Sequence, residues 1–134
     1  MKKSTKIILA LSAVGALAGG ISDIQNMEAK GLRTAHLAAW PGRQAECETM
    51  QDGGETWALC RFWRSAPSVW LKRGEAWASA NGGAQMVIEA VSRIDAGVYK
   101  DLPRLYVDRQ KPVYMTDAVR ERFDEIRAEI EARK

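Results

Sequence analysis

Residues 47–60 read CETMQDGGETWALC, and this stretch decides the fold because its two halves mirror each other about Gly53 and Gly54. A Gly-Gly pair supplies the positive φ angles that a two-residue primed hairpin turn requires. With Asp52 opposite Glu55 at the mouth of that turn, Cys47 falls opposite Cys60. Counting outward from the hydrogen-bonded 52:55 pair makes 47:60 a non-hydrogen-bonded pair, in which α-carbons approach to about 4.5 Å. That separation suits a disulfide. The expectation is a hairpin stapled by Cys47 and Cys60 in an oxidising compartment.

The N-terminus agrees with export. Lys2, Lys3 and Lys6 precede an apolar run from Ile7 to Ala18 that closes on Ala16-Leu17-Ala18, the three-part pattern of a secretory signal peptide. The run is shorter than the ~20 residues a membrane-spanning helix needs. Residues 1–18 are therefore read as a signal peptide that meets the membrane only during export, 19–45 as a linker with a short helix, and 46–134 as a single α+β domain. The localisation expected is periplasmic or secreted. Of the 20 basic and 17 acidic side chains, three of the basic ones are the leader lysines, which leaves 17 against 17. A nucleic-acid partner would call for a basic excess or stripe in the processed chain, and there is none.

Working outward from the hairpin, the strand from Thr56 to Arg64 enters Ser65-Ala66-Pro67-Ser68, a turn segment. A four-residue loop there would set Arg64 opposite Val69. A further turn at Arg73-Gly74 would set Lys72 opposite Glu75. The expectation is a four-stranded antiparallel meander, with the disulfide-stapled hairpin as its first half, packed against one or two helices and followed by a C-terminal helix. In this register one face collects Cys47, Cys60, Ala58, Phe62, Val69, Leu71, Ala76 and Ala78. The other carries a row of Trp63, Trp70 and Trp77 beside Glu46, Arg61, Lys72 and Glu75.

Helical spacing of apolar residues marks three further elements. Leu32 to Trp40 reads as a short helix stopped by Pro41-Gly42. Ala84 to Asp95 places Ala84, Val87, Ile88, Val91 and Ile94 on one stripe, a helix for which a fifth strand over Gln85 to Val91 is the competitor. A C-terminal helix capped by Thr116 or Asp117 carries Val119, Phe123, Ile126 and Ile130. Its stripe is expected to dock on the same chain, so that a monomer is favoured over a dimer formed through 117–134. Between these elements Pro103 and Pro112 argue for irregular chain, with Leu105 to Asp108 pairing briefly at an edge.

The residues able to do chemistry are few. His36 is the only histidine, and no serine stands in a G-x-S-x-G context. One histidine and two paired cysteines do not make a zinc site, so neither metal nor cofactor is expected. Glu46 and Glu48 share a strand face, and Arg61 opposite Glu46 reads them as half of a cross-strand ion pair rather than as a catalytic pair. Asn81-Gly82-Gly83 lacks the later glycine and lysine of a phosphate loop and reads as a turn. Five tryptophans exceed what a core of this size requires. Trp63, Trp70, Trp77 and Arg61 are the candidate binding residues, as an anchor for a protein partner or a platform for sugar rings, against the plainer reading that the tryptophan row is a second small core covered by the C-terminal helix or by Leu37 and Trp40. The expectation is an exported, non-catalytic cell-envelope protein acting through protein contact as an accessory or inhibitory subunit, with a carbohydrate or peptidoglycan binder as the alternative.

Overall fold

The Gly53-Gly54 turn forms with both glycines at positive φ, 61° and 79°. Strands β1 (Ala45–Asp52) and β2 (Glu55–Phe62) leave it in unbroken register, from Asp52 opposite Glu55 to Ala45 opposite Phe62. Cys47 and Cys60 are opposite and bonded, with Cα atoms 4.0 Å apart. The chain is known here from a computed structural model that describes residues 29–62, 66–94 and 102–133.

Beyond β2 the sheet departs from the antiparallel meander in two ways. It has five strands in the order β1-β2-β3-β4-β5, with β3 at Ser68–Arg73, β4 at Ala76–Ser79 and β5 at Arg104–Tyr106. It is also mixed, because β5 runs parallel to β4. Helix α2 (Gly82–Ser92) lies in the connection between β4 and β5 and supplies the long crossover that a parallel neighbour needs. Pro103 stands just before β5, where a missing N–H costs no ladder bond. The edge pairing expected near Leu105 is thus present, one residue earlier in the chain and in the parallel sense.

The register differs as well. Val69 lies opposite Leu59, not Arg64, and Trp70 opposite Ala58. An odd slip exchanges the two faces of a strand, so Val69, Leu71, Ala76 and Ala78 stand on the face opposite to Cys47, Cys60, Ala58 and Phe62. Trp70 and Trp77 take their place beside the disulfide. The turn between β3 and β4 also moves, since Gly74 at φ 65° takes the first turn position and sets Arg73 opposite Ala76. Lys72 consequently faces Trp77 rather than Glu75, a slip of two that preserves the face. The close approach of Arg61 and Lys72 expected from the meander does not occur. Trp63, the first member of the expected row, lies outside the described residues.

Helices cover both faces. Helix α1 (Lys30–Ala39), with Leu32, Ala35, His36 and Ala38 buried, packs with α2 on the disulfide face. The core there is Leu32, Ala45, Ala58, Cys60, Phe62, Trp70, Trp77, Ala84 and Val87. Helix α3 (Asp117–Ala132) is capped by Thr116, whose hydroxyl accepts from the Val119 amide at 3.3 Å. Its Val119, Phe123 and Ile126 are buried against Trp57, Leu59, Val69 and Leu71, with Ile130 packed at the margin. The apolar stripe of the C-terminal helix is therefore used within the chain.

Candidate functional site

The disulfide face holds a buried chain of hydrogen bonds. Leu32 carbonyl is 2.6 Å from His36 Nδ1, and His36 Nε2 is 2.7 Å from Ser68 Oγ. The Trp70 indole N–H donates to the same oxygen at 2.8 Å. A carbonyl only accepts, so Nδ1 carries the imidazole hydrogen and Nε2 receives the Ser68 hydroxyl. The chain runs from Trp70 through Ser68 and His36 to Leu32, with a hydrogen for each link. Burial lowers the His36 pKa to about 4 against the opposing effect of the Leu32 carbonyl, which keeps the ring neutral at physiological pH.

Asn81 places Ser68 in that chain. Its side-chain oxygen accepts from the amides of Ala84 and Val69, both at 3.0 Å, and its amide donates to the Pro67 carbonyl at 2.9 Å. One residue therefore caps α2 and clasps the start of β3. Gly83 makes the close approach feasible, because a Cβ there would stand 2.8 Å from the Pro67 carbonyl oxygen. In sequence Asn81-Gly82-Gly83 signals only a turn, and nothing local links residue 36 to residue 68.

A serine hydrogen-bonded to a histidine has the atoms of a nucleophile and its base. Here Ser68 and His36 are 0% and 1% exposed, and the Ser68 hydroxyl is already engaged as donor and acceptor. A cavity of about 150 Å³ reaches the His36 ring between Trp40, Phe62 and Met86, but Ser68 is not on its wall. The His36 ring nitrogen and the two cysteine sulfurs also lie within 4.8 Å of one another. Both sulfurs are consumed by their mutual bond, so the thiolates that would hold a metal are absent from this arrangement. What these groups do together is order the core.

Of the candidate binding residues, Trp70 is fully buried and Trp77 is 3% exposed. Trp57 is buried on the α3 face. Arg61 stands opposite Glu46 as expected, yet its guanidinium reaches across to Glu129 of α3 at 2.7 Å and to Glu48 at 3.8 Å. Arg122 of α3 donates twice to Glu48, at 2.6 and 2.8 Å, and once to Glu125 at 3.0 Å. The Glu48 hydrogen bonds strengthen protonation of Arg122 beyond its ordinary value. Sequence reasoning puts Glu48 and Arg61 on strands but does not bring Arg122 to them, since Arg122 lies 74 residues from Glu48.

At the far end of the sheet Arg73 pairs with Asp108. The Asp108 carboxyl is held below its ordinary pKa first by the Lys111 amide, then by the Gln110 amide and Arg73.

Strand β1 is an edge of the sheet. Because the 52:55 pair is hydrogen-bonded, Ala45, Cys47, Thr49 and Gln51 point their backbone N–H and C=O away from β2. One of these carbonyls already has a donor, for Arg33 Nε of α1 lies 2.9 Å from Ala45 O. A groove of about 420 Å³ runs beside the strand, lined by Arg33, Glu46, Cys47, Glu48 and Arg61. A scan of the chain against protein-family models finds no match, and searches of curated proteins and of solved structures find none either.

Proposed function

We propose that this protein is exported to the periplasm or the cell exterior and acts there without catalysis, through contact with another protein, as an accessory or inhibitory subunit. The observation that carries the reading is the inward use of its chemistry-bearing groups. The single histidine, its serine neighbour and both cysteines are spent on ordering the core, which leaves surface contact as the mode of action that the described residues favour. The disulfide is compatible with an oxidising compartment, and no helix among the described residues is long and apolar enough to cross a membrane. The glycan reading relied on exposed rings, and Trp57, Trp70 and Trp77 offer no face to a sugar.

Two measurements test this. Intact mass of the protein from its host, fractionated by compartment, should show loss of residues 1–18 outside the cytoplasm; a cytoplasmic species retaining Met1 overturns export. Native mass spectrometry of the envelope fraction should find the protein in a stoichiometric complex with another polypeptide. Sedimentation with purified, protein-free peptidoglycan, in the absence of such a complex, overturns the contact reading.

A further inference from the structure

We infer that the open edge of β1 is a docking strand for an extended segment of a partner protein that carries Lys or Arg at alternate positions. The inference rests on the protein-contact reading above and gives it a place and a partner chemistry. Its first support is geometric. β1 is eight residues long, without proline and without a break in register, so of the devices that blunt sheet edges (shortness, proline, bulges and charge) it carries only charge. Helices cover its two faces, but among the described residues no strand covers its edge. The Arg33 bond to Ala45 O shows an outward carbonyl accepting a donor from outside the sheet. An added strand would meet the same row of groups at Cys47, Thr49 and Gln51, with the groove beside Glu46, Cys47 and Glu48 at one end of its path.

The second support is charge, and it selects the occupant. The side chains of β1 that share a face with α3 are Glu46, Glu48, Met50 and Asp52, three acids in four positions with no base. The other face of the strand, Ala45, Cys47, Thr49 and Gln51, is uncharged. Among the side chains of β1 an incoming strand therefore meets acid on alternate residues, while Arg33 and Arg61 line the same groove near Ala45 and Glu46. A second copy of this chain is a poor occupant. Two-fold pairing of β1 with itself through the outward groups sets Glu46 against Glu48, Glu48 against its own copy, Glu46 against Asp52, or Glu48 against Asp52, according to register. Like charges directly opposite destabilise a sheet. Glu48 is already met by Arg122 and Arg61, which leaves the exposed Glu46 as the acid most open to a new cation.

The test uses an end-capped octapeptide alternating Lys and Val, its Glu-Val counterpart, and a Lys-Val peptide N-methylated on alternate residues, which keeps the charge but removes donors. Binding is read by fluorescence anisotropy, and its location by amide exchange. The Lys-Val peptide should bind and protect the Cys47, Thr49 and Gln51 amides, with the N-methylated and Glu-Val peptides weaker by about tenfold or more. Glu46→Lys should weaken the Lys-Val peptide to a similar degree. Gln51→Pro, which removes an outward N–H and no ladder bond, should weaken it while circular dichroism remains that of the folded protein. Equal binding of the N-methylated peptide, or protection away from β1, overturns the inference. So does a concentration-dependent dimer that Gln51→Pro abolishes, since the edge would then take a second copy. A stoichiometric envelope complex in which the β1 amides stay unprotected overturns this inference and leaves the contact reading standing. Peptide docking at β1 with no complex in the envelope overturns the contact reading and leaves only the preference of the β1 edge for a cationic strand standing.

Discussion

The two faces of the sheet handle polar groups in opposite ways. On the disulfide face, Trp70, Ser68 and His36 are sealed inside, and each hydrogen has an acceptor. On the α3 face the interior is apolar apart from the Trp57 indole N–H, which is buried without a hydrogen-bond partner, and the charges of Glu48, Arg61, Arg122 and Glu129 stand at the rim with side chains 20 to 42% exposed. An interior polar group has no water to fall back on, so deleting one partner costs the desolvation of whatever it leaves behind. A rim pair loses little when broken, because solvent screens it and replaces it. Short hydrogen bonds of the core and equally short ion pairs of the rim are therefore not equivalent in stability.

The largest effect is expected from Ser68→Ala. It orphans His36 Nε2 and the Trp70 indole N–H together, and denaturant unfolding should show a loss of about 4 kcal/mol, two buried groups at ~1–3 each. A change below about 1 kcal/mol would mean that water reaches the chain.

The next effect is pH dependence. The native ring titrates near 4 and the unfolded one near 6.5. Below pH 6.5 the unfolded chain takes up a proton that the native chain refuses. Stability is therefore full above about pH 6.5, falls as pH drops toward 4 and levels off beneath it, by roughly 3 kcal/mol at most for His36 alone. His36→Gln should remove that slope, as measured by urea midpoints across the window. A slope unchanged in this variant would assign it to carboxylates.

Removing the staple tests the same face by a different route. Cys47→Ala with Cys60→Ala, residues 13 apart, should cost about 3 kcal/mol by the chain-entropy account, read as a fall in melting temperature. Non-reducing peptide mapping of the natural protein should recover the two cysteines as one linked peptide.

At the rim, Glu48→Gln should cost no more than about 1 kcal/mol, and the cost should shrink in high salt. A loss as large as that of Ser68→Ala would erase the distinction between the faces. The smallest effect belongs to Thr49, whose buried hydroxyl has no hydrogen-bond partner. Thr49→Val removes a desolvated oxygen while keeping the shape, so thermal unfolding should move upward or stay within about 1 kcal/mol of the original.

The features legible from residue order alone are local. The Gly53-Gly54 turn fixed the pairing of Cys47 with Cys60, because a two-residue turn leaves one register for the strands that flank it. Thr116 and the Val119, Phe123, Ile126 spacing placed α3 and its buried face, since a cap and a 3.6-residue period act within a few turns of chain. Both α1 and α2 fall within a few residues of their apolar stripes for the same reason. The tertiary structure decided which face β3 shows to which helix. Ser68, Val69, Trp70 and Leu71 are all buried, so the alternation that reports a strand's facing is erased when helices cover both sides. The parallel β5, the Glu48–Arg122 pair and the His36–Ser68 bond were likewise settled by contacts between residues distant in the chain. No local pattern encodes such contacts, because their free energy is gained only once the elements have met.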